Sequence, residues 1–142
     1  MSNAPSPGNK NQANGANASA KPGQDTRPVG WLVAICGPMV GQSFTLTCGT
    51  NTIGRRQNND IFLPDDEYIS RAHIVVTYRP ESRSFYAAQA TATSQPTQLS
   101  DGRTITTEPT PLEAGEILRL SHRTSLRFIP FSNQFFDWDY KN

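Results

Sequence analysis

Two short segments hold most of what could do chemistry in this 142-residue chain. The first is Gly54-Arg55-Arg56-Gln57-Asn58-Asn59-Asp60, and the second is Tyr68-Ile69-Ser70-Arg71-Ala72-His73. Only a short apolar run, Ile61–Leu63, and an acidic turn, Asp65-Asp66-Glu67, lie between them. A strand that leaves and one that returns would bring both segments to the same end of a sheet, where loops collect function. Three arginines and a serine would then face one patch. That is the composition of an anion receptor. A guanidinium offers a planar fork to two phosphate oxygens, the serine hydroxyl adds a donor, and loop N–H groups add more.

Other chemistry fits these residues less well. A nucleophilic Ser70 with His73 as base and Asp60, Asp65 or Asp66 as orienting acid would need side chains that converge. Ser70 and His73 are three apart at the start of a strand, and an extended backbone sends them to opposite faces. No glycine-flanked nucleophile turn surrounds Ser70. The thiols are Cys36 and Cys48 and the imidazoles His73 and His122, with no Cys-x-x-Cys, so no metal site is expected. A hairpin about Gly37–Gly41 would set Cys36 opposite Ser43 rather than Cys48. Two free, mostly buried thiols follow.

The elements that must position these loops read as short strands. Gly30–Ile35, Gln42–Thr47, Asn51–Gly54, Ile61–Leu63, His73–Tyr78 and Ser84–Ala88 are rich in β-branched and aromatic residues and are bounded by Gly, Pro or charged turns. Asp101-Gly102 marks a hairpin between Gln98–Leu99 and Thr104–Ile105. Ile117–Leu120 and Ser125–Ile129 make a last hairpin around Ser121–Thr124. No ten-residue window keeps helical periodicity without a breaker. Strands at this spacing predict a sandwich or barrel of antiparallel strands.

Composition divides the chain. Residues 1–28 are mostly Asn, Ala, Pro, Gly and Ser, and all 13 aromatics lie from Trp31 onward. Such a leader cannot bury enough surface to offset about 1–2 kcal/mol per residue of backbone ordering, and it is expected to be a disordered tail. Met1 points to a natural start. Residues 29–131 would form the folded body, and 132–142, with Phe135, Phe136, Trp138 and Tyr140 among acids, an aromatic and acidic extension. A net charge of +1 leaves no electrostatic footprint for nucleic acid or an anionic membrane. No apolar run reaches the roughly 18 residues that span a bilayer, and the N-terminus lacks the apolar stretch of a secretory signal. A cytoplasmic location is expected.

The order of the loop residues carries a further message. Gly54-Arg55, then Asn59-Asp60-Ile61-Phe62-Leu63-Pro64-Asp65, then Ile69-Ser70-Arg71-Ala72-His73-Ile74 resembles the forkhead-associated (FHA) family, whose signature is Gly-Arg, Asp-Ile-x-Leu and Ser-Arg-x-His. Leu112-x-x-Gly115-Glu116-x-Leu118-x-Leu120 is similar to that family's closing strand. The resemblance covers about residues 30–130. It implies an all-β fold, an antiparallel sandwich of about eleven strands, that binds phosphothreonine peptides as an adaptor in Ser/Thr kinase signalling. It implies no catalysis, cofactor or metal.

Carried over by position, Arg55 and Ser70 would hold the phosphate and Arg71 would add a phosphate or peptide-backbone contact. His73 would fix the pose of Ser70, and Gly54 would allow the tight turn. The family's later Ser-x-Asn-Gly-Thr loop corresponds to Thr93-Ser94-Gln95-Pro96-Thr97, placing Ser94 and Gln95 against the peptide. Gln95 keeps the amide chemistry on a longer stem. Pro96 removes an N–H and fixes φ near −65°. A second reading follows from that departure: a scaffold of the same fold that binds its partner independently of phosphorylation.

Overall fold

The protein is described by a computed structural model covering residues 25–131. All but the last four residues of the expected N-terminal tail, and the whole of the 132–142 extension, lie outside the described residues. Among the described residues there are eleven strands: β1 Pro28–Cys36, β2 Ser43–Thr47, β3 Gly49–Gly54, β4 Ile61–Phe62, β5 Ile74–Arg79, β6 Ser84–Gln89, β7 Thr97–Leu99, β8 Thr104–Ile105, β9 Thr110–Pro111, β10 Ile117–Arg119 and β11 Ser125–Pro130. They form a five-stranded sheet in the order β9-β6-β5-β3-β4 and a six-stranded sheet in the order β2-β1-β11-β10-β7-β8. No helix long and apolar enough to cross a membrane occurs among the described residues.

Alternation sets which face each strand buries. Phe85 and Ala87 of β6 and Leu126 and Phe128 of β11 point into the sandwich, while their neighbours are only half-buried. Phe85 and Phe128 meet edge-on from the two sheets, centroids 4.7 Å apart, a favoured aromatic geometry. The chain changes sheets at Cys48, between β2 and β3. There Gly49 takes φ 85°, and buried Asn51 receives the Thr47 N–H and donates to the carbonyls of Thr47 and Val76. The backbone groups that the corner removes from the ladder thus stay paired.

Four features depart from the sequence-based expectations or add to them. The ladder between β3 and β4 is parallel, with Ile53 beside Ile61 and Gly54 beside Phe62, because the 55–60 loop doubles back and re-enters alongside β3. β9 was not legible beforehand, since Thr110–Pro111 looks like turn chemistry. Proline is tolerated there because β9 is an edge strand. The GWLVAI run, almost wholly apolar in sequence, alternates in burial and leaves Trp31 42% and Ile35 38% exposed. Finally, the Gly37–Gly41 turn closes on Ala34, which exchanges hydrogen bonds with Gly41 and Gln42. Val33, not Cys36, therefore faces Ser43, and Cys36 pairs with Ser125 on β11. Both thiols are free, but only Cys48 is buried and Cys36 is exposed.

Candidate functional site

The two donor-bearing loops meet because β3 and β5 are antiparallel neighbours, with Ile53 opposite Ile74. Backbone pairing continues past the strand ends. The Arg55 N–H donates to the Ser70 carbonyl at 3.0 Å and the Arg56 N–H to the Arg71 carbonyl at 3.2 Å. Such close approach leaves no room for a side chain at position 54. A Cβ there would fall inside contact distance of the Arg71 carbonyl oxygen, 2.8 Å from its carbon and 2.9 Å from Asn59 Nδ2. Gly54 is required by proximity and not by φ, since its φ is not positive.

Asn59 closes the junction. Its Nδ2 donates at 2.7 Å to both the Arg56 and the Arg71 carbonyls, one on each loop. Position 59 carried no role beyond its place in the motif, because an amide that staples two loops is visible only when both are in place. Asn59→Ala removes both bonds, and about 1–2 kcal/mol of stability should go with them. Denaturant unfolding should show the midpoint falling with the slope unchanged.

At this junction Arg55 is half-buried and its Nε donates to the Ile69 carbonyl at 3.0 Å. That bond orients the guanidinium. Its two Nη groups have no partner among the described residues. Ser70 is half-buried beside it. The Ser70 Oγ accepts the Gln95 N–H at 2.7 Å, which leaves its own proton for an outside acceptor. Arg71 is exposed, and its guanidinium has no partner among the described residues; Arg56 is exposed as well.

His73 is fully buried and accepts the Ser70 N–H on Nδ1 at 2.9 Å. The proton of the neutral ring therefore sits on Nε2, which has no hydrogen-bond partner in ordinary geometry. Burial lowers the imidazole pKa to about 4, although the Leu120 carbonyl and Asp66 work in the other direction. This geometry also removes the nucleophilic reading. Nδ1 holds the Ser70 amide and not its hydroxyl, and the Asp60 carboxylate is bonded to the Thr52 N–H and hydroxyl. A pH dependence follows. In the unfolded chain His73 protonates near pH 6.5, but in the folded chain only near 4. The stability it contributes is complete above pH 6.5 and is lost as pH falls toward 4, by about 3 kcal/mol. Urea unfolding at pH 7 and pH 4.5 should show most of that loss, and His73→Gln should flatten the dependence.

Ser94, which the family resemblance had set against the peptide, turns inward. It is buried, its hydroxyl donates to the Ala72 carbonyl at 2.6 Å, and its Oγ accepts the Thr91 N–H at 3.2 Å. The same loop is held from below by Gln89, whose Nε2 donates to the Ser94 carbonyl at 2.6 Å. Ser94 thus carries Gln95, while Gln95 and Pro96 are themselves exposed. Beyond Gln95 opens a groove of about 420 Å³ walled by Tyr68, Pro96, Arg119 and His122. Tyr68 and His122 meet edge-on with centroids 4.4 Å apart. Nothing in the sequence pointed to His122 or Arg119, which reach the groove from the far end of the chain.

The family model of the FHA domain matches residues 51–121, half of the chain, and this stretch contains the loop junction just described. The chain belongs to the FHA family. A curated relative, the oxoglutarate dehydrogenase inhibitor of Corynebacterium diphtheriae, is 39% identical over 79 residues, which is 54% of this chain and 53% of that protein. The chain therefore spans about half the length of the curated relative it matches. Among solved structures, the FHA domain of an Arabidopsis thaliana protein aligns with a TM-score of 0.64 at 22% identity, covering 80% of this chain and 96% of that one. The N-terminal FHA domain of Saccharomyces cerevisiae Rad53p, solved with a phosphothreonine peptide, aligns at 0.59 and 16% identity over 72% of this chain and 94% of that one. At these identities the likeness is one of fold. The FHA domain of this chain is thus the two-sheet sandwich with its Arg55–Ser70 junction at one end.

Proposed function

We propose that this FHA domain is a phosphothreonine-peptide-binding adaptor, and that its ligand is a protein marked by a Ser/Thr kinase in the cytoplasm. One observation carries the reading: the Nη groups of Arg55, unpartnered among the described residues, and the donor-ready hydroxyl of Ser70 stand on two loops tied directly together, Arg55 N–H to Ser70 carbonyl at 3.0 Å. Arg55 takes two phosphate oxygens through its fork, Ser70 donates to a third, and Arg71 adds a further positive charge. Gln95 contacts the peptide backbone from the neighbouring loop. Gly54, His73 and Ser94 hold these residues in place without touching the ligand. Three or four charge-assisted hydrogen bonds at about 1.5–3 kcal/mol each, less the cost of ordering a peptide, give roughly micromolar binding, about −8 kcal/mol.

The groove beyond Gln95 receives residues that flank the phosphothreonine. Arg119 on its wall makes it hospitable to acidic ones. The test is titration calorimetry with a phosphothreonine peptide library and its unphosphorylated twins. Strong preference for the phosphorylated set is expected. Equal affinity for both sets would replace this reading with that of a phosphorylation-independent scaffold.

A further inference from the structure

Asp66 is the one carboxylate in the core among the described residues, with no exposed surface. It lies on the connection between β4 and β5 of the five-stranded sheet, yet two of its partners come from the turn between β10 and β11 of the other sheet. Its Oδ2 accepts the hydroxyls of Ser121 and Thr124, both at 2.6 Å. Oδ1 accepts the Tyr68 N–H at 2.9 Å, and the Asp66 carbonyl accepts the Ile69 N–H at 3.1 Å. The Ser121 Oγ already accepts the N–H groups of Arg123 and Thr124, so its only proton goes to the carboxylate. Burial alone would push the Asp66 pKa up, but the hydrogen bonds from Ser121, Thr124 and Tyr68 outweigh it and hold the group below the usual carboxylate range. An ionised, fully bonded carboxylate thus joins two loops that belong to different sheets.

Both loops carry parts of the candidate site. Tyr68, two residues after Asp66, packs edge-on against His122 of the opposite turn and walls the groove with it. Ser70, four residues after Asp66, carries the hydroxyl that Gln95 engages.

We propose that Asp66 is a positioning residue for ligand binding: it locks the 66–70 segment onto the β10–β11 turn, so that the Ser70 hydroxyl and the Tyr68–His122 wall keep one fixed spacing for a single extended phosphopeptide. The inference rests on the phosphopeptide reading of the site. Its consequence is a coupling between the two ends of the ligand. Loss of the carboxylate penalises a ligand that fills both ends more than one that fills the phosphate end alone.

The experiment compares the described domain, in the full chain, with its Asp66→Asn variant, using two probes at a temperature where both proteins are folded by circular dichroism. One probe is the best phosphothreonine peptide from the library, extended on both sides; the other is phosphothreonine blocked at both termini. Asparagine keeps the shape, but its NH₂ must face either the two hydroxyls or the Tyr68 N–H, so at least one donor loses its acceptor. The extended peptide should weaken about tenfold and the blocked amino acid by about threefold or less. A purely structural role would lower the melting temperature and leave the ratio of the two constants unchanged, which would overturn the proposal. Thr124→Val, which deletes one buried donor to the carboxylate, should shift the same ratio in the same direction, and it decides the matter if Asp66→Asn does not fold. Should the unaltered protein bind phosphorylated and unphosphorylated peptides alike, the phosphopeptide reading fails first and the positioning role with it. If it discriminates and neither variant changes the ratio, the positioning role alone is wrong.

Discussion

Arg55→Ala is expected to weaken binding of a phosphothreonine peptide by about 2–4 kcal/mol, or roughly 30- to 1,000-fold, read by titration calorimetry against the unaltered protein. The size follows from what the side chain does in place. Its Nε is already committed to the Ile69 carbonyl, so the planar fork reaches the ligand without first being ordered, and less rotamer entropy opposes binding. Alanine removes the fork and also leaves the doubly charged phosphate short of a partner, which costs more than the lost bond alone. The variant should remain folded, because the side chain is half-buried and its one hydrogen bond among the described residues goes to a loop carbonyl. Arg55→Lys is the informative companion. It keeps the charge and loses the bidentate geometry, so affinity should recover only in part. An alanine variant that binds within twofold of the unaltered protein would show that the phosphate sits elsewhere.

Gly54→Ala should be among the most damaging single-methyl additions this domain can receive. The added carbon would lie inside contact distance of the Arg71 carbonyl, with Asn59 Nδ2 behind it. Backbone on both sides must move apart, and the movement opens the bonds from Arg55, Arg56 and Asn59 that tie the two loops. Overpacking of this kind costs about 1–3 kcal/mol, and the opened bonds bring the expected loss to roughly 3 kcal/mol. At about 4–8 °C per kcal/mol for a domain of this size, the thermal midpoint should fall by on the order of 15 °C. Phosphopeptide affinity should fall with it, since Arg55 and Ser70 move apart. Gly41 makes a useful contrast. Its φ is 93° and nothing lies within 4 Å of an added Cβ, so Gly41→Ala meets only the left-handed backbone penalty of about 1 kcal/mol and leaves binding unchanged. Similar midpoints for the two alanine variants would refute the close-approach argument.

The proximity of Arg55 and Ser70 could be anticipated because it depends on one local event. A strand ends at Gly54, another begins after His73, and antiparallel pairing brings those ends together. The place of His73 beside the Ser70 loop came only from the family resemblance; in the structure its Nδ1 accepts the Ser70 N–H. The inward turn of Ser94 was not legible for a related reason. Matching a loop by sequence says which residues occupy it, but not which of two adjacent hydroxyl and amide side chains turns inward. The Ala72 carbonyl, 22 residues away, decides that by accepting the Ser94 hydroxyl.

What the amino-acid sequence determined by itself was everything governed by near neighbours along the chain. That includes the strand character of Ser84–Ala88, the turn at Asp101-Gly102, the absence of helix among the described residues, and the order of donors in the two loops. Tertiary structure alone decided which distant groups close each polar ledger: Asn59 across two loops, Asp66 onto Ser121 and Thr124, and Tyr68 against His122. The physical reason is separation. The Asp66 bonds span 55 and 58 residues, and a carboxylate so far from its donors along the chain has no local signature. Only when the two sheets pack face to face does burial require that these particular hydroxyls and that carboxylate meet.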